Sequence, residues 1–332
     1  MKLFRASHAR LIDQRFLAMG TEISVKLVCD HRSRRDAALI AIQQVVDLMH
    51  DFGHEAWAWG DGSLSRFNAA LCAGESPEIP QGLRELFARA WSIHQQSDGL
   101  FEPRLAQLVR LWGFDDVARL RDSPPTVAEI RQLLDAMAAA PDLDGARSYG
   151  PAPDVAWDFG GIGKGYIVDK ALDILCQHGF GDAVVDAGGN LAARGSHHMR
   201  PWRVAIRDPR SSHEPRRLLA SLQVFDEAVI THGDDQRYFE FDGRRYSHIL
   251  HPRTGVSVQG FRSLTVVHAD ATLADGGGAA LYVAGPDSWR ALARKLGIEQ
   301  VLIASDDGSI KVTAALAQRL VPEPDVEVEL ID

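Results

Sequence analysis

The chain of 332 residues is 45% hydrophobic and 24% charged, the balance of a soluble globular enzyme, with room for one large domain or two ordinary ones. Its formal net charge of −9 argues against nucleic acid or an anionic membrane as the main partner, though a small anionic ligand needs only local positive potential. Three cysteines (Cys29, Cys72 and Cys176) have no metal-type spacing and an odd count, which fits a reducing compartment and three incidental thiols better than a disulfide framework.

Lys2 and Arg5 lead the chain, but Asp13, Gln14 and Arg15 stand where the apolar core of a signal peptide should follow. With no lipobox cysteine and no membrane-spanning run, a cytoplasmic protein is expected. Phe16 to Leu27 turns at Met19-Gly20-Thr21 and then alternates Ile23, Val25 and Leu27 inward, as a half-buried strand does. A helix follows, with Ala37, Ile40, Ala41, Val45, Leu48, Met49 and Phe52 at helical spacing. Trp57 to Asn68 reads as a loop, with Trp57 and Trp59 set among glycines.

A second helix, Gly82 to Gln96, puts His94 on its apolar face, where a satisfied core histidine is expected. Ser97 to Pro103 precedes a short helix that runs to Leu111-Trp112-Gly113-Phe114. Beyond Pro124-Pro125, Thr126-Val127-Ala128-Glu129 is a capping box at the head of a solvent-facing helix.

Val155 to Trp157 reads as a strand and Ile162 to Cys176 as a helix, joined by Asp158-Phe159-Gly160-Gly161-Ile162-Gly163-Lys164-Gly165-Tyr166. A strand running through a glycine-rich turn into a helix aims free N–H groups and a positive dipole end at one point, which suits an anion, and Lys164 adds a charge there. The turn is neither a P-loop nor a dinucleotide fingerprint, since Asp158, Gly165 and Tyr166 break both spacings. Equally, the glycines could serve only to let a helix pack closely on a sheet.

Further strands are expected at Asp182 to Ala187, Trp202 to Arg207, Leu219 to Phe225, Ala228 to Thr231 and Ser263 to His268. Asp242-Gly243 between two alternating runs marks a hairpin that delivers His248 to a strand end. Asp270 to Gly278 leads into an apolar helix, Ala279 to Ala284, and the last segments alternate helix, strand and turn before an acidic tail from Pro322, expected to fray. Helices cluster before Gly150 and strands after it, which disfavours a regular βαβ repeat. The fold class expected is α+β: one continuous domain of mixed, largely antiparallel sheets flanked by helices, two-lobed around a cofactor cleft.

The turn-rich signatures fall in a recognisable order: Met19-Gly20-Thr21, Ser63 to Asn68, Gly99 to Pro103 with Leu111 to Phe114, Asp158 to Tyr166, Gly233 to Phe239, Ser247 to Gly255, and Ala274-Asp275. In order, spacing and wording they resemble the ApbE family, the FAD:protein FMN transferases, over nearly the whole chain. That resemblance implies an enzyme that takes FAD as substrate and transfers its FMN moiety to a Thr or Ser hydroxyl of an acceptor flavoprotein. AMP leaves, and Mg²⁺ assists at the pyrophosphate.

Carried over position by position, the resemblance implies FAD contacts from Met19, a tryptophan of the Trp57–Trp59 loop, Leu100, Phe101 and Glu102. Asp158, Gly160, Lys164, Tyr166, His248, Ile249 and Arg253 would complete the pocket. The Gly163 carbonyl and the Asp275 carboxylate would hold the metal, as hard oxygen ligands should. Asp275 and His248 are the catalytic candidates. His248 could move a proton at the acceptor hydroxyl or only bind the flavin, and the binding role is preferred.

Three departures from the family pattern stand out. Glu102 replaces an Asp, His251 replaces the Asp of an Asp-Pro-x-Thr-Gly turn, and Gly278 and Ala279 occupy the positions where an oxygen-bearing side chain follows the metal Asp. Metal binding would then lean on phosphate and water, or Asp275 would serve only to cap a helix. An FAD pyrophosphatase releasing FMN and AMP, and a catalytically silent FAD-binding protein, are the competing readings.

Overall fold

The computed structural model describes residues 10–116, 118, 120–211, 217–235 and 237–331. The head of the chain read above for a signal peptide lies largely outside them. Strands β1 (Arg10–Ala18) and β2 (Thr21–Cys29) pair through a two-residue turn in which Met19 and Gly20 have φ of 52° and 71°. This is the left-handed pair that a tight hairpin needs. Five helices follow: α1 (Arg35–Glu55), α2 (Ser63–Cys72), α3 (Arg84–Gln96), α4 (Ala106–Leu111) and α5 (Val127–Ala139). Helix α6 (Gly163–Gln177) then leads into β3 (Ala183–Ala187), β4 (Asn190–Arg194), β5 (Trp202–Arg207), β6 (Leu218–Val224) and β7 (Glu227–Gly233). The hairpin β8 (Tyr238–Phe241) and β9 (Arg244–Ser247) precedes β10 (Phe261–His268) and α7 (Ala271–Leu296). The chain finishes with β11 (Gln300–Ser305), β12 (Ile310–Thr313), α8 (Ala314–Ala317), β13 (Leu320–Pro322) and β14 (Glu329–Ile331).

The main sheet runs β1-β2-β3-β4-β7-β10-β11-β12-β14, with β13-β6-β5 and β8-β9 as smaller sheets. Every pairing is antiparallel except β12 with β14, so the α+β expectation holds. Strand alternation sorts the side chains. Ile23, Val25 and Leu27 of β2 and Val185 of β3 face α1, α6 and α7, while Val28 and Val184 face the β5–β6 sheet behind. A separate cluster of Leu108, Trp112, Phe114, Ile130, Phe239 and Leu250 forms a smaller lobe from α4, α5 and the β8–β9 hairpin. Trp112 Nε1 donates to the Gly255 carbonyl at 2.8 Å, which fixes the 247–255 turn onto that lobe.

Several elements differ from the sequence reading. Ser63 to Asn68 opens α2 instead of continuing a loop. Val155 to Trp157 forms no strand: Ala156 makes a single bridge to Leu105, and buried Asn68 exchanges two 2.8 Å hydrogen bonds with the Trp157 backbone. One side-chain amide thus does the pairing a neighbouring strand would have done. The apolar helix starts at Ala271 and is broken at Gly285 (φ 71°) before Pro286, so two expected helices meet in one kinked element. The acidic tail, expected to fray, instead adds β14 to the sheet edge beside β12.

Candidate functional site

The glycine-rich turn is less open than its composition suggests. The Gly163 amide donates to the Phe159 carbonyl at 2.7 Å, the Gly160 amide to Asp158 Oδ1 at 3.0 Å, and the Gly165 amide to Asp275 Oδ2 at 2.7 Å. These three N–H groups are already bonded within the protein, which narrows any amide cradle to the rest of the turn. Close packing is the demonstrable use of Gly165: a Cβ there would lie 2.1 Å from the Ala271 carbonyl oxygen. Gly161 lies between the other parts of the site, since a Cβ on it would stand 3.5 Å from Phe101 and 3.7 Å from Ala279.

The anion-attracting group that remains is Lys164. It sits half-buried in the first turn of α6, where the dipole also favours negative charge, and it has no hydrogen-bond or ion-pair partner among the described residues. Two histidines face it. His248 follows β9, its Nδ1 is buried without a partner, and burial, helped by Arg237, Lys164 and His232, lowers its pKa to about 4. His232, on β7, is likewise pushed down by burial, against Asp275, whose charge pulls the other way. Its Nε2 lies 3.7 Å from Asp275 Oδ1 and makes no hydrogen bond of good geometry.

Asp275 is 1% exposed, one turn inside α7. It does not cap that helix. Asp270 does, its Oδ1 accepting the Leu273 amide at 2.8 Å. Asp158 is raised by burial, opposed by the Gly160 amide and by Arg237.

The 97–104 loop closes one side. The Asp158 amide donates to the Pro103 carbonyl at 2.8 Å, and Ser97 Oγ accepts from the Phe101 amide at 3.0 Å. Glu102 is turned inward: its two oxygens accept from Arg104 Nε and Nη2, each at 2.8 Å, and Arg104 stacks over Trp91. That commits the carboxylate to a buried ion pair and leaves little of it for a ligand, unlike the contact the resemblance implies. His94 stacks on Trp91 with Nδ1 3.0 Å from the Phe101 carbonyl oxygen, the satisfied core histidine expected. Arg253 reaches this loop from the 247–255 turn, donating to the Asp98 carbonyl at 2.7 Å, while Lys295 pairs with the Asp98 carboxylate at 2.7 Å.

Met19 packs over Gly53 of α1, and the adjacent Phe52 meets both Gly163 and the Tyr166 ring. The Tyr166 hydroxyl donates to Glu85 on α3 at 3.4 Å, and burial with Glu85 pushes its pKa up to about 12. Ile249 and Trp59 are partly buried against the main core, whereas Trp57 is 53% exposed. Of two cavities of about 410 and 250 Å³, the first lies among Arg210, Asp234, Arg245 and Arg262, and the second is lined by Glu85 and the candidate residue Tyr166. Neither is lined by Lys164 or Asp275, and local charge identifies the candidate site better than volume does.

Sequence reasoning missed His232 and the role of Arg237, which touches Asp158 and His248 electrostatically. A histidine at the end of a strand, ahead of Gly233-Asp234, was the only signal. As a metal centre the site offers the Asp275 carboxylate and the carbonyl of Gly163, two residues before the Gly165 amide that Asp275 binds. Gly278 and Ala279 add no side-chain oxygen, and among the described residues no three His, Cys, Asp or Glu side chains cluster to hold an ion. The donor set therefore fits a divalent cation that takes much of its shell from phosphate and water.

The same architecture occurs in solved ApbE proteins. A Thermotoga maritima ApbE crystal structure superposes with a TM-score of 0.81 at 27% identity, covering 93% of this chain and 99% of that one. The apo Pseudomonas stutzeri flavinyl transferase ApbE gives 0.78 at 28% identity, covering 96% and 98%. Among proteins named FAD:protein FMN transferase, one from Rhodobacter capsulatus is 34% identical over 315 residues, which is 93% of this chain and 58% of its own length. One from Escherichia coli K12 is 27% identical over 262 residues, 76% of this chain and 72% of its own. No helix among the described residues is long and apolar enough to cross a membrane. The ApbE family model matches residues 19–302, and the chain belongs to the ApbE family.

Proposed function

We propose that this chain transfers the FMN moiety of FAD to a Thr or Ser hydroxyl of an acceptor flavoprotein. The hydroxyl oxygen attacks the FMN-side phosphorus, the P–O bond to AMP breaks, AMP carries away the electron pair, and the hydroxyl proton is released to solvent. The observation that best supports this is Lys164, an ammonium unpaired among the described residues at a helix N-terminus, beside a buried Asp275 and two imidazoles that each leave one buried ring nitrogen without a well-formed hydrogen bond. Such a site suits a pyrophosphate, whose transfer needs positioning and charge neutralisation more than a covalent nucleophile.

Lys164 binds a phosphate oxygen; Phe101, Met19 and Ile249 offer apolar surface to the isoalloxazine; Arg253 steadies the 97–104 loop. His248 binds the flavin. A base whose pKa is about 4 has little drive to take a hydroxyl proton at neutral pH, which favours positioning over proton transfer. A divalent cation held by Asp275 and the Gly163 carbonyl, Mg²⁺ on the family resemblance, would neutralise charge on the pyrophosphate. The absence of a side-chain oxygen at Gly278 and Ala279 favours a second reading, a hydrolase or a silent FAD binder.

Purified protein mixed with FAD and Mg²⁺, with and without a Thr-containing acceptor, separates these readings. AMP released only with acceptor supports transfer, AMP released regardless means hydrolysis, and no AMP means binding alone.

A further inference from the structure

His232 and Gly278 fit one another in a way that neither residue explains alone. A Cβ at position 278 would lie 2.7 Å from His232 Nε2 and 2.8 Å from its Cδ2, so only glycine there leaves the imidazole its place. The room so made points Nε2 at Asp275 Oδ1, 3.7 Å away; Nε2 makes no hydrogen bond of good geometry, its nearest backbone neighbours being Ala274 and Asp275. A buried polar atom without a well-formed hydrogen bond is costly to keep, so such a site invites a partner. The other Asp275 oxygen is occupied by the Gly165 amide, which leaves Oδ1 and Nε2 as donors facing each other. Their separation is too long for a good hydrogen bond, yet within the roughly 4 Å span of two ligands on one ion with bonds of about 2.1 Å.

We propose that His232 Nε2 and Asp275 Oδ1 ligate the cation together, so that this site selects a first-row divalent metal that accepts imidazole, such as Mn²⁺, over Mg²⁺. The proposal rests on the reading of Asp275 as a cation ligand given above. A nitrogen donor is poorly matched to Mg²⁺, which keeps an octahedral shell of oxygens; Mn²⁺ accepts it better than Mg²⁺ does, and Co²⁺ or Zn²⁺ better still. The histidine thereby takes over the ligand duty for which Gly278 and Ala279 offer no side-chain oxygen.

The test uses the full chain saturated with FAD and labelled with ¹⁵N-histidine, so that protein and flavin nitrogens differ. Mn²⁺ is added and pulsed EPR reads the nuclei bound to it, while calorimetry compares Mn²⁺ with Mg²⁺. The expected result is a directly coordinated ¹⁵N signal and Mn²⁺ binding roughly tenfold or more tighter than Mg²⁺. His232→Ala should abolish the ¹⁵N signal and the metal preference. Gly278→Ala, which pushes the imidazole aside without removing it, should weaken both. Mn²⁺ bound in an Asp275-dependent way without ¹⁵N coupling would overturn the histidine assignment and leave Asp275 as a cation ligand. Failure of any divalent ion to bind the FAD complex would overturn both, while AMP release with acceptor would still report flavin transfer separately.

Discussion

Gly165 and Asp275 are joined by a 2.7 Å hydrogen bond from the glycine amide to Oδ2, which fastens α7 to the first turn of α6. The two helices touch here because position 165 has no side chain. A methyl group at Gly165 would meet the Ala271 carbonyl oxygen at 2.1 Å and Asp275 Cβ at 2.6 Å, both far inside contact distance. Gly165→Ala is expected to destabilise the fold by about 1–3 kcal/mol, the scale of overpacking, read as a lowered midpoint in urea unfolding.

Lys164 has the opposite profile. With no partner among the described residues, its loss should leave stability within about 0.5 kcal/mol. Lys164→Ala should instead weaken FAD binding by about 1–3 kcal/mol, the scale of one charge-assisted contact. Unchanged FAD affinity by calorimetry would remove the lysine from the site.

Glu102→Ala separates architecture from ligand binding. It strands the Arg104 guanidinium in a buried setting, and losing one member of such a pair costs about 3–5 kcal/mol. Thermal unfolding should register a large loss. A stable variant with impaired FAD binding would instead return the carboxylate to the ligand.

His248 makes the apo protein sensitive to acid. Its folded pKa of about 4 lies below the usual 6.5, so between those values the unfolded chain binds the extra proton. The stability linked to this group is present above pH 6.5 and is lost as pH falls towards 4. The loss is on the order of 2 kcal/mol once partial solvent access is allowed for. His248→Gln should flatten that part of the profile; the same slope in variant and parent would assign the acid sensitivity elsewhere. Turnover abolished in His248→Ala with FAD affinity intact would make the residue a proton-transfer group.

Metal and FAD should bind with positive coupling, because the pyrophosphate brings oxygens the protein lacks. Without FAD the site should stay nearly empty at millimolar Mg²⁺. Asp275→Ala should abolish metal binding to the FAD complex, and Ala279→Thr should tighten it. Calorimetry of the FAD complex decides, and unchanged affinity in Asp275→Ala would refute the metal assignment.

What the sequence made legible was local. The β1–β2 turn, the Thr126 capping box with Glu129, and the Asp242-Gly243 hairpin each depend on residues within a few positions, and each stands as read. Val155 to Trp157 misled because an apolar run says nothing of where its hydrogen bonds go, and here they go to Asn68. Glu102 and Arg104, two apart in a loop, follow no period that would reveal an ion pair. The fit of His232 to Gly278 crosses from β7 to α7, and a missing side chain leaves no pattern to read.

The tie between Asp98 and its two cations has a further consequence. Arg253 holds the Asp98 carbonyl and Lys295 its carboxylate, so the backbone before Leu100 and Phe101 is moored from outside by solvent-facing charges. Mobile ions shorten the reach of such charges to about 8 Å at physiological ionic strength and less in brine, while the apolar packing beneath is untouched. The loop that carries Leu100 and Phe101 and the core of the molecule therefore answer to different variables. Dissolved salt should weaken the first at concentrations that leave the second intact.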